Sequence, residues 1–464
     1  MKLKFRVSPV LKDPTRSTHR IMMELTICLL ILFAYGATYY GVTSGVEYAM
    51  HALLLLGSAV GSGLIYESVF ALILKKPIGK YLKDSFSWVT SIILVLMLPV
   101  NTGVYAVIVG NFFALVVGKL LFGGFGHNIF NPAGVGRIVI LRGFAAVTVA
   151  DMSTGATPIS DIASKSWSVA ANSWEAFLET YGGWTGLFTG WHGGSLGETS
   201  ILLIVVMAVY LILRHVIDWR VPVFYVGTVF VLALVIGFMG GLGYQYALFH
   251  IFAGGLMFGA VFMATDPVTN PTHPLGRVIF AVGAGILTVL LRTKASMPGG
   301  VVFAIIIMNM LAPLIERSLY GNQRVTLKKG LVALGSLMVV GLLTAGFIGS
   351  TIEPVEIIAD EINAEVLSVD GNKVEVKAYG FKAENTFVVE IDPASGQVVS
   401  IEVTSFNDSD PEGRPAVAGS YLEGYVGKGF EDIDSIDAAS MATYTSGSVK
   451  NAVKKAILEI TGGE

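Results

Sequence analysis

Long apolar runs separated by short, glycine-rich polar loops dominate the first 350 positions, at 21–41, 47–74, 86–98, 102–121, 131–149, 198–213, 221–240, 246–264, 276–291, 299–316 and 331–350. A helix needs about 20 apolar residues to cross a bilayer, so the pattern predicts ten spans and then an eleventh. The third run is short and the fifth carries Arg137 and Arg142, which predicts broken or re-entrant helices buried in protein. Beyond position 350 the pattern becomes one of short alternating or β-branched runs at 364–367, 373–378, 386–391 and 398–403. Hairpin signals at Asp370-Gly371-Asn372 and Asp392-Pro393-Ala394-Ser395-Gly396 separate them, and a helix follows at 446–458. The expected fold is a polytopic α-helical membrane domain (1–325), an additional transmembrane helix (326–352) and a small extracytoplasmic α+β domain (353–464).

Composition agrees with the pattern. Hydrophobic residues make up 53% of the 464 positions and charged residues 14%, too apolar for a soluble chain of this length. Residues 1–350 hold 23 Lys and Arg against 13 Asp and Glu, and residues 351–464 hold 8 against 21, so the two parts face different surroundings. Basic residues cluster at Lys2, Lys4, Arg6, Lys12, Arg16 and Arg20, at Lys75, Lys76, Lys80 and Lys83, and at Arg317, Arg324, Lys328 and Lys329. The positive-inside rule puts these in the cytoplasm. It puts the loop 151–197 and everything after Ser350 outside the cytoplasm. Arg292 and Lys294 would then also lie outside, against the trend. The start of the chain, with no small-residue cleavage site, is expected to be an anchor. The single cysteine, Cys28, excludes an internal disulfide and a cysteine-ligated cluster built by this chain alone. The histidines show no metal-ligand spacing, and His51 and His250 are expected to be packed or hydrogen-bonded.

The halves of the membrane part echo each other. Leu96-Met97-Leu98-Pro99, followed by Asn131-Pro132-Ala133, is matched by Ala264-Thr265-Asp266-Pro267, followed by Asn309 and Ala312-Pro313, which suggests two five-span repeats. Interrupted repeats of this kind build transport paths, so a small-solute channel or transporter is one reading of the pattern. Glu67, Asp84 and Asp266 are expensive at membrane depth and are candidates for ion movement. Capping or interfacial pairing is the competing expectation for Asp84 and Asp266, and for Glu67 snorkelling to the cytoplasmic face is the competing reading, left open beside ion movement.

Five ordered motifs carry a resemblance. Asp84-Ser85 with Val89-Thr90-Ser91 and Leu98-Pro99, residues 126–133 (Gly-His-Asn-Ile-Phe-Asn-Pro-Ala), Thr154-Gly155-Ala156-Thr157-Pro158, Gly193-Gly194-Ser195-Leu196-Gly197-Glu198, and residues 262–269 (Phe-Met-Ala-Thr-Asp-Pro-Val-Thr) together resemble the D subunit of the Rnf complex, a relative of the B subunit of the sodium-pumping quinone reductase. The resemblance implies a subunit of an ion-translocating ferredoxin:NAD oxidoreductase with FMN on Thr157, Asp151 and Thr154 recognised by the attaching enzyme, and Gly155 and Ala156 keeping the acceptor's flank small. A threonine hydroxyl is a poor nucleophile. A metal-dependent flavin transferase would have to activate it for attack on the diphosphate of FAD, leaving FMN as a phosphoester and releasing AMP. The implied partners are the A, B, C, E and G types of Rnf subunit, that transferase, Na+ or H+, and membrane lipid. Riboflavin is a further cofactor within the resemblance. No catalytic residue and no metal ligand is assigned.

In the tail, residues 421–428 and 437–446 resemble the FMN-binding domain of the Rnf G subunit, which points to Thr443, flanked by Ser440 and Ala442, as a second FMN site. Met441 stands where the family has glycine, and residues 407–413 lack the family's Glu-Thr-Pro-Gly. A flavin-carrying domain and a degenerate structural copy are therefore both open for the tail.

Overall fold

The computed structural model describes residues 17–144, 147, 149, 152, 157–295, 297, 299–321, 323–355, 364–379, 384–393, 395–407, 414–436 and 443–461. The chain divides into a unit of residues 1–149 with 157–356 and a second of residues 150–156 with 357–464.

Every apolar run coincides with a helix in the first unit. Among the described residues seven helices, fewer than the eleven spans expected, are long and apolar enough to cross a membrane: Thr18–Thr43, Val46–Ile73, Val104–Phe122, Arg220–Met239, Pro274–Thr293, Gly300–Ser318 and Val325–Ser350. Gln245–Phe252 and Leu256–Met263, bent by 61°, form a broken span or a re-entrant loop. Ser87–Leu96, Pro132–Gly143 and Ile201–Leu213 are shorter, and the second runs unbroken through Arg137. Arg214 pairs with Glu24 at 2.7 Å near the start of the first helix, while Tyr35 near its other end donates to Thr189 O at 2.8 Å. The loop 157–200 thus lies at the end of the domain opposite to Arg20, Arg214 and the Asp218–Arg220 pair.

Each half is built around a π-helical turn. Gly118 N donates to Phe113 O at 2.8 Å and Ala264 N to Gly259 O at 2.7 Å, closing the wide turns Phe113–Val117 and Gly259–Met263, a device frequent at functional sites. A capped helix follows in each. Asn131 accepts from Gly134 N with Pro132 at the first helical position, and His273 accepts from Leu275 N with Pro274 there. Gly136-Arg137 and Gly276-Arg277 come next. The two halves thus share the order of a π turn followed by a capped helix. Asn131 and Asn309 touch: Asn131 N donates to Asn309 Oδ1 at 3.0 Å, and Asn131 Nδ2 to Met263 O at 3.2 Å.

Two breaks face the loop 157–200. Ser195–Gly197 pairs with the end of the first half-helix through Leu196 N to Leu98 O (3.0 Å) and Gly197 N to Leu96 O (2.7 Å). A side chain at Gly197 would stand 2.8 Å from Leu96 Cβ, so only glycine permits this approach. At the second break, between Phe252 and Leu256, the fully buried Arg292 donates from Nη1 to His250 O at 2.8 Å and from Nη2 to Ala253 O at 3.2 Å and Gly254 O at 3.3 Å. The Glu198 carboxylate lies against Gly255, on the other side of the break. A cation thus meets the carbonyl end of one half-helix and an anion the N–H end of the next, the arrangement the helix dipole favours. Arg292 is spent inside the protein, which removes it from the loop charges that topology counts. Arg292→Met should cost at least about 3 kcal/mol, because hydrogen bonds to a charged group contribute about 1.5–3 each and buried carbonyls are left unpaired. Thermal unfolding in detergent reads this, and an unchanged midpoint would refute it.

The second unit is an antiparallel sheet in the order β1 (Ala364–Asp370), β2 (Lys373–Tyr379), β3 (Glu384–Ile391), β4 (Val398–Ser405). Asp370 pairs with Lys373 across Gly371, whose φ of 65° suits a two-residue hairpin. The helix Thr443–Thr461 packs on one face. Val374, Val376, Phe387, Val389 and Ile391 meet Val449, Ala452, Val453, Ala456 and Ile457 there, all buried.

Candidate functional site

Thr157 is the N-cap of the helix Pro158–Ser164. Its Oγ1 accepts from Ser160 N at 3.2 Å, Ser160 Oγ accepts from Thr157 N at 2.9 Å, and the two hydroxyl oxygens lie 2.9 Å apart. Pro158, which has no N–H to lose, occupies the first helical position. In this reciprocal cap the threonine oxygen serves as an acceptor, and that lone pair survives when the hydroxyl hydrogen is replaced by phosphorus. The side chain is half-buried, so its outer side is reachable. One turn on, Asp161 pairs with Lys165 at 2.8 Å and accepts from Tyr181 at 3.2 Å.

The flanks of Thr157 tie it to both helix breaks. Before it, Gly103 N donates to Val147 O at 2.8 Å and Val149 N to Asn101 O at 2.9 Å, at the end of the first interrupted helix. After it, Ile159 packs against Gly254 (φ 64°), where an added Cβ would stand 2.7 Å from Ile159 Cδ1. Trp167 stacks on His250 with ring centroids 5.1 Å apart. The loop is thus seated where the interrupted helices open. Asp151, Thr154, Gly155 and Ala156 lie outside the described residues.

Toward the opposite end is a cavity of about 120 Å³, lined by Lys119, Asn128, Asn131, Thr265 and Asp266 together with apolar residues such as Phe86 and Phe262. Asp266 accepts from Val268 N at 3.2 Å and from Asn128 Nδ2 and Thr269 Oγ1, each at 3.3 Å, so it caps a turn, the competing expectation for it. Asp84 is exposed on the short helix Ile78–Ser85. Glu67 does not snorkel: it is fully buried and pairs with Lys119 Nζ at 3.0 Å, with Ser85 Oγ donating to the same oxygen. A buried cation within reach makes staying inside cheaper than stretching to water. Lys119, itself buried, also donates to Ser85 O at 2.6 Å. The sequence did hold a signal, a lone base inside the run 102–121, since an ionisable residue at membrane depth needs a partner. The partnership of Arg292 and Glu198 with one break is visible only after folding.

In the second unit, Thr443 opens the C-terminal helix. The helix's first turns bury Thr445, Ser446 and Ser448. The buried Asn385 donates to Ser448 Oγ at 3.3 Å and accepts from Asn407 N at 3.1 Å. Tyr421 and Tyr425 share a hydroxyl contact of 3.0 Å, and burial, with Tyr421 beside it, pushes the Tyr425 phenol well above its ordinary value. Ser440, Met441, Ala442 and residues 408–413 lie outside the described residues.

A profile described as the NQR2, RnfD, RnfE family matches residues 4–323, and one described as an FMN-binding domain matches residues 380–458. The chain is 34% identical over 310 residues to the D subunit of the proton-translocating ferredoxin:NAD(+) oxidoreductase complex of Clostridium ljungdahlii, covering 65% of this chain and 90% of that protein. It is 32% identical over 309 residues to the D subunit of the Na(+)-translocating ferredoxin:NAD(+) oxidoreductase complex of Acetobacterium woodii, covering 65% and 89%. To the D subunit of the ion-translocating oxidoreductase complex of Stutzerimonas stutzeri it is 31% identical over 330 residues, covering 65% and 90%.

Proposed function

Because this chain belongs to the NQR2, RnfD, RnfE family, we propose that it is the membrane redox subunit of an Rnf-type, ion-translocating ferredoxin:NAD oxidoreductase and carries FMN through Thr157. The observation that carries the proposal is the Thr157 cap. It presents a half-buried hydroxyl, held by Ser160, between the two helix breaks, in a fixed geometry that a phosphoester can keep. A solute channel would have no use for such an acceptor. The FMN-binding domain at residues 380–458 supports flavin in the tail, and we assign its attachment to Thr443. Riboflavin belongs to the proposal with no residues attached. The partners are the other subunits of the complex, of the A, B, C, E and G types, with a flavin transferase for maturation. Proton- and Na(+)-translocating relatives stand at nearly equal identity, so identity does not select the ion. With its charge matched by Lys119, Glu67 has no ion-carrying role in this proposal.

In-gel fluorescence of the denatured chain tests covalent flavin. About two FMN per chain are expected from the two threonines, and no fluorescence from cells that contain the transferase would overturn the proposal. Met441→Gly separates the tail's two readings. A rise toward two FMN per chain shows that methionine had hindered attachment, and an unchanged value near two shows that it is tolerated. A value near one in both chains would mean a structural tail.

The loop 157–200 and the tail are proposed to lie outside the cytoplasm. Cysteines at Glu175 and Glu402, both exposed, should react with an impermeant thiol reagent in intact cells, and one at Tyr320, 91% exposed, should not. Cys28 is buried and gives a low background. The reverse labelling would invert the topology.

A further inference from the structure

The second membrane helix, Val46–Ile73, is longer than the hydrocarbon it crosses. Its 28 residues extend about 42 Å at about 1.5 Å per residue, against a core of about 30 Å and about 40–45 Å with the headgroups included. Both ends therefore reach headgroup level. At its C-terminal end the chain does not leave for water but folds back: Lys75 turns at φ 54°, Lys76 N donates to Ala71 O at 2.9 Å, and the short helix Ile78–Ser85 returns against Val46–Ile73. Its last residue is pinned at the depth of Glu67. Ser85 Oγ donates to Glu67 Oε1, and Lys119 Nζ donates to Ser85 O at 2.6 Å.

Held in this way, the segment carries Lys75, Lys76, Lys80 and Lys83 on its outside, all exposed. Residues 75–84 hold these four lysines against one acid, Asp84, a net of plus three. Among the described residues none of the four forms an ion pair. Lys80 and Asp84 stand four apart in the order that pairs less well on a helix. Lys80 and Lys83, three apart, share one helix face, and Lys76 Nζ lies 5.5 Å from the centre of the Tyr81 ring, which brings its charge onto the same short helix without neutralising it. Exposed Leu72, Ile73, Leu74 and Ile78 lie beside the lysines in the chain. Water would leave the apolar groups unsatisfied, and hydrocarbon alone would leave the charges so. A molecule with an anionic head and apolar tails meets both needs.

We propose that this surface seats an acidic phospholipid, its phosphodiester among the ammonium groups of the four lysines and its acyl chains along Leu72, Ile73 and Ile78. Lysine suits the position, because its stem follows apolar surface while the ammonium stays at headgroup level. A cluster of four or more bases next to a membrane helix draws anionic lipid, which the cytoplasmic leaflet carries, and the positive-inside rule makes this the cytoplasmic side. The bound lipid braces the helix whose last residue joins the Glu67–Lys119 pair. Flavin takes no part in it.

The test offers the full chain, in a neutral detergent, phosphatidylglycerol and phosphatidylcholine in equal amounts, and measures by mass spectrometry the lipid retained after gel filtration. The parent should keep phosphatidylglycerol in preference. That preference should fall as salt rises from about 0.05 to about 0.5 M, because exposed charges are screened. Changing all four lysines to glutamine should lower phosphatidylglycerol retention at least about fivefold, the contribution of a single lysine beside an anionic surface. The same four changed to arginine should retain it, since the charge is kept. Without lipid, the glutamine chain should unfold at the parent's temperature, as exposed lysines support no core. If that chain fails to insert, the salt series on the parent decides alone. Equal retention of the two lipids by the parent, or of phosphatidylglycerol by parent and glutamine chain, would overturn the proposal. So would a glutamine chain that binds lipid normally but fails to assemble with its partner subunits, which would put an acidic protein face on the lysines.

Discussion

Thr157→Ala is expected to remove the flavin of the membrane domain, lowering the FMN count by one per chain and bringing ferredoxin-to-NAD electron flow through the complex to background. The side-chain oxygen is both the proposed attachment atom and the helix cap, so the two consequences must be separated. Losing a threonine cap costs about 1 kcal/mol, too little to unfold a domain anchored by seven long helices. The chain should therefore insert and assemble without its label. Thr157→Ser restores the oxygen that accepts from Ser160 N and should recover the cap whether or not the transferase accepts serine. Ser160→Ala leaves the acceptor hydroxyl in place while removing the hydroxyl that receives Thr157 N, and should lower labelling less than Thr157→Ala does. Parent-like electron flow in Thr157→Ala at normal expression would show that the acceptor lies elsewhere.

Lys119→Met is expected to destabilise the membrane domain by about 3–5 kcal/mol, the usual result of stripping one partner from a buried ion pair. Glu67 is fully buried and Lys119 is 3% exposed, so removing the cation leaves the carboxylate without its counter-charge. Methionine fills similar space, which leaves the stranded carboxylate as the main cost. Adding Glu67→Gln removes that charge and should recover most of the loss, since a neutral pair needs no counter-charge. Thermal unfolding of parent, singles and double in one detergent forms the cycle. Additive losses, or a parent-like Lys119→Met, would show that the pair is not energetically coupled.

What the sequence made legible, and what it did not, divides by range. Apolar runs mark helices because bilayer thickness and chain composition act locally, and the four tail strands were visible through alternation: Val374, Val376, Phe387 and Val389 face the core. Thr157 was legible as part of a motif, and its neighbour Pro158 as a helix start. The bend at Gly254 was not, because residues 246–264 read as one continuous apolar run. Its break is stabilised from Arg292 and Glu198, 38 and 56 positions away from Gly254 in the chain. Arg292 looked like a stray basic charge in an external loop for the same reason. Glu67 looked able to reach the surface because Lys75 was near in sequence, whereas its partner, Lys119, is near in space.

Peptide mass analysis of the fragment containing Thr157, from complex purified out of cells that make the flavin transferase, tests the central claim most directly. A phosphoester formed by release of AMP from FAD should add the mass of FMN less one water to that fragment, with fragmentation placing the addition on Thr157. The same fragment recovered at its unmodified mass, from a preparation whose electron transfer is intact, would contradict the account.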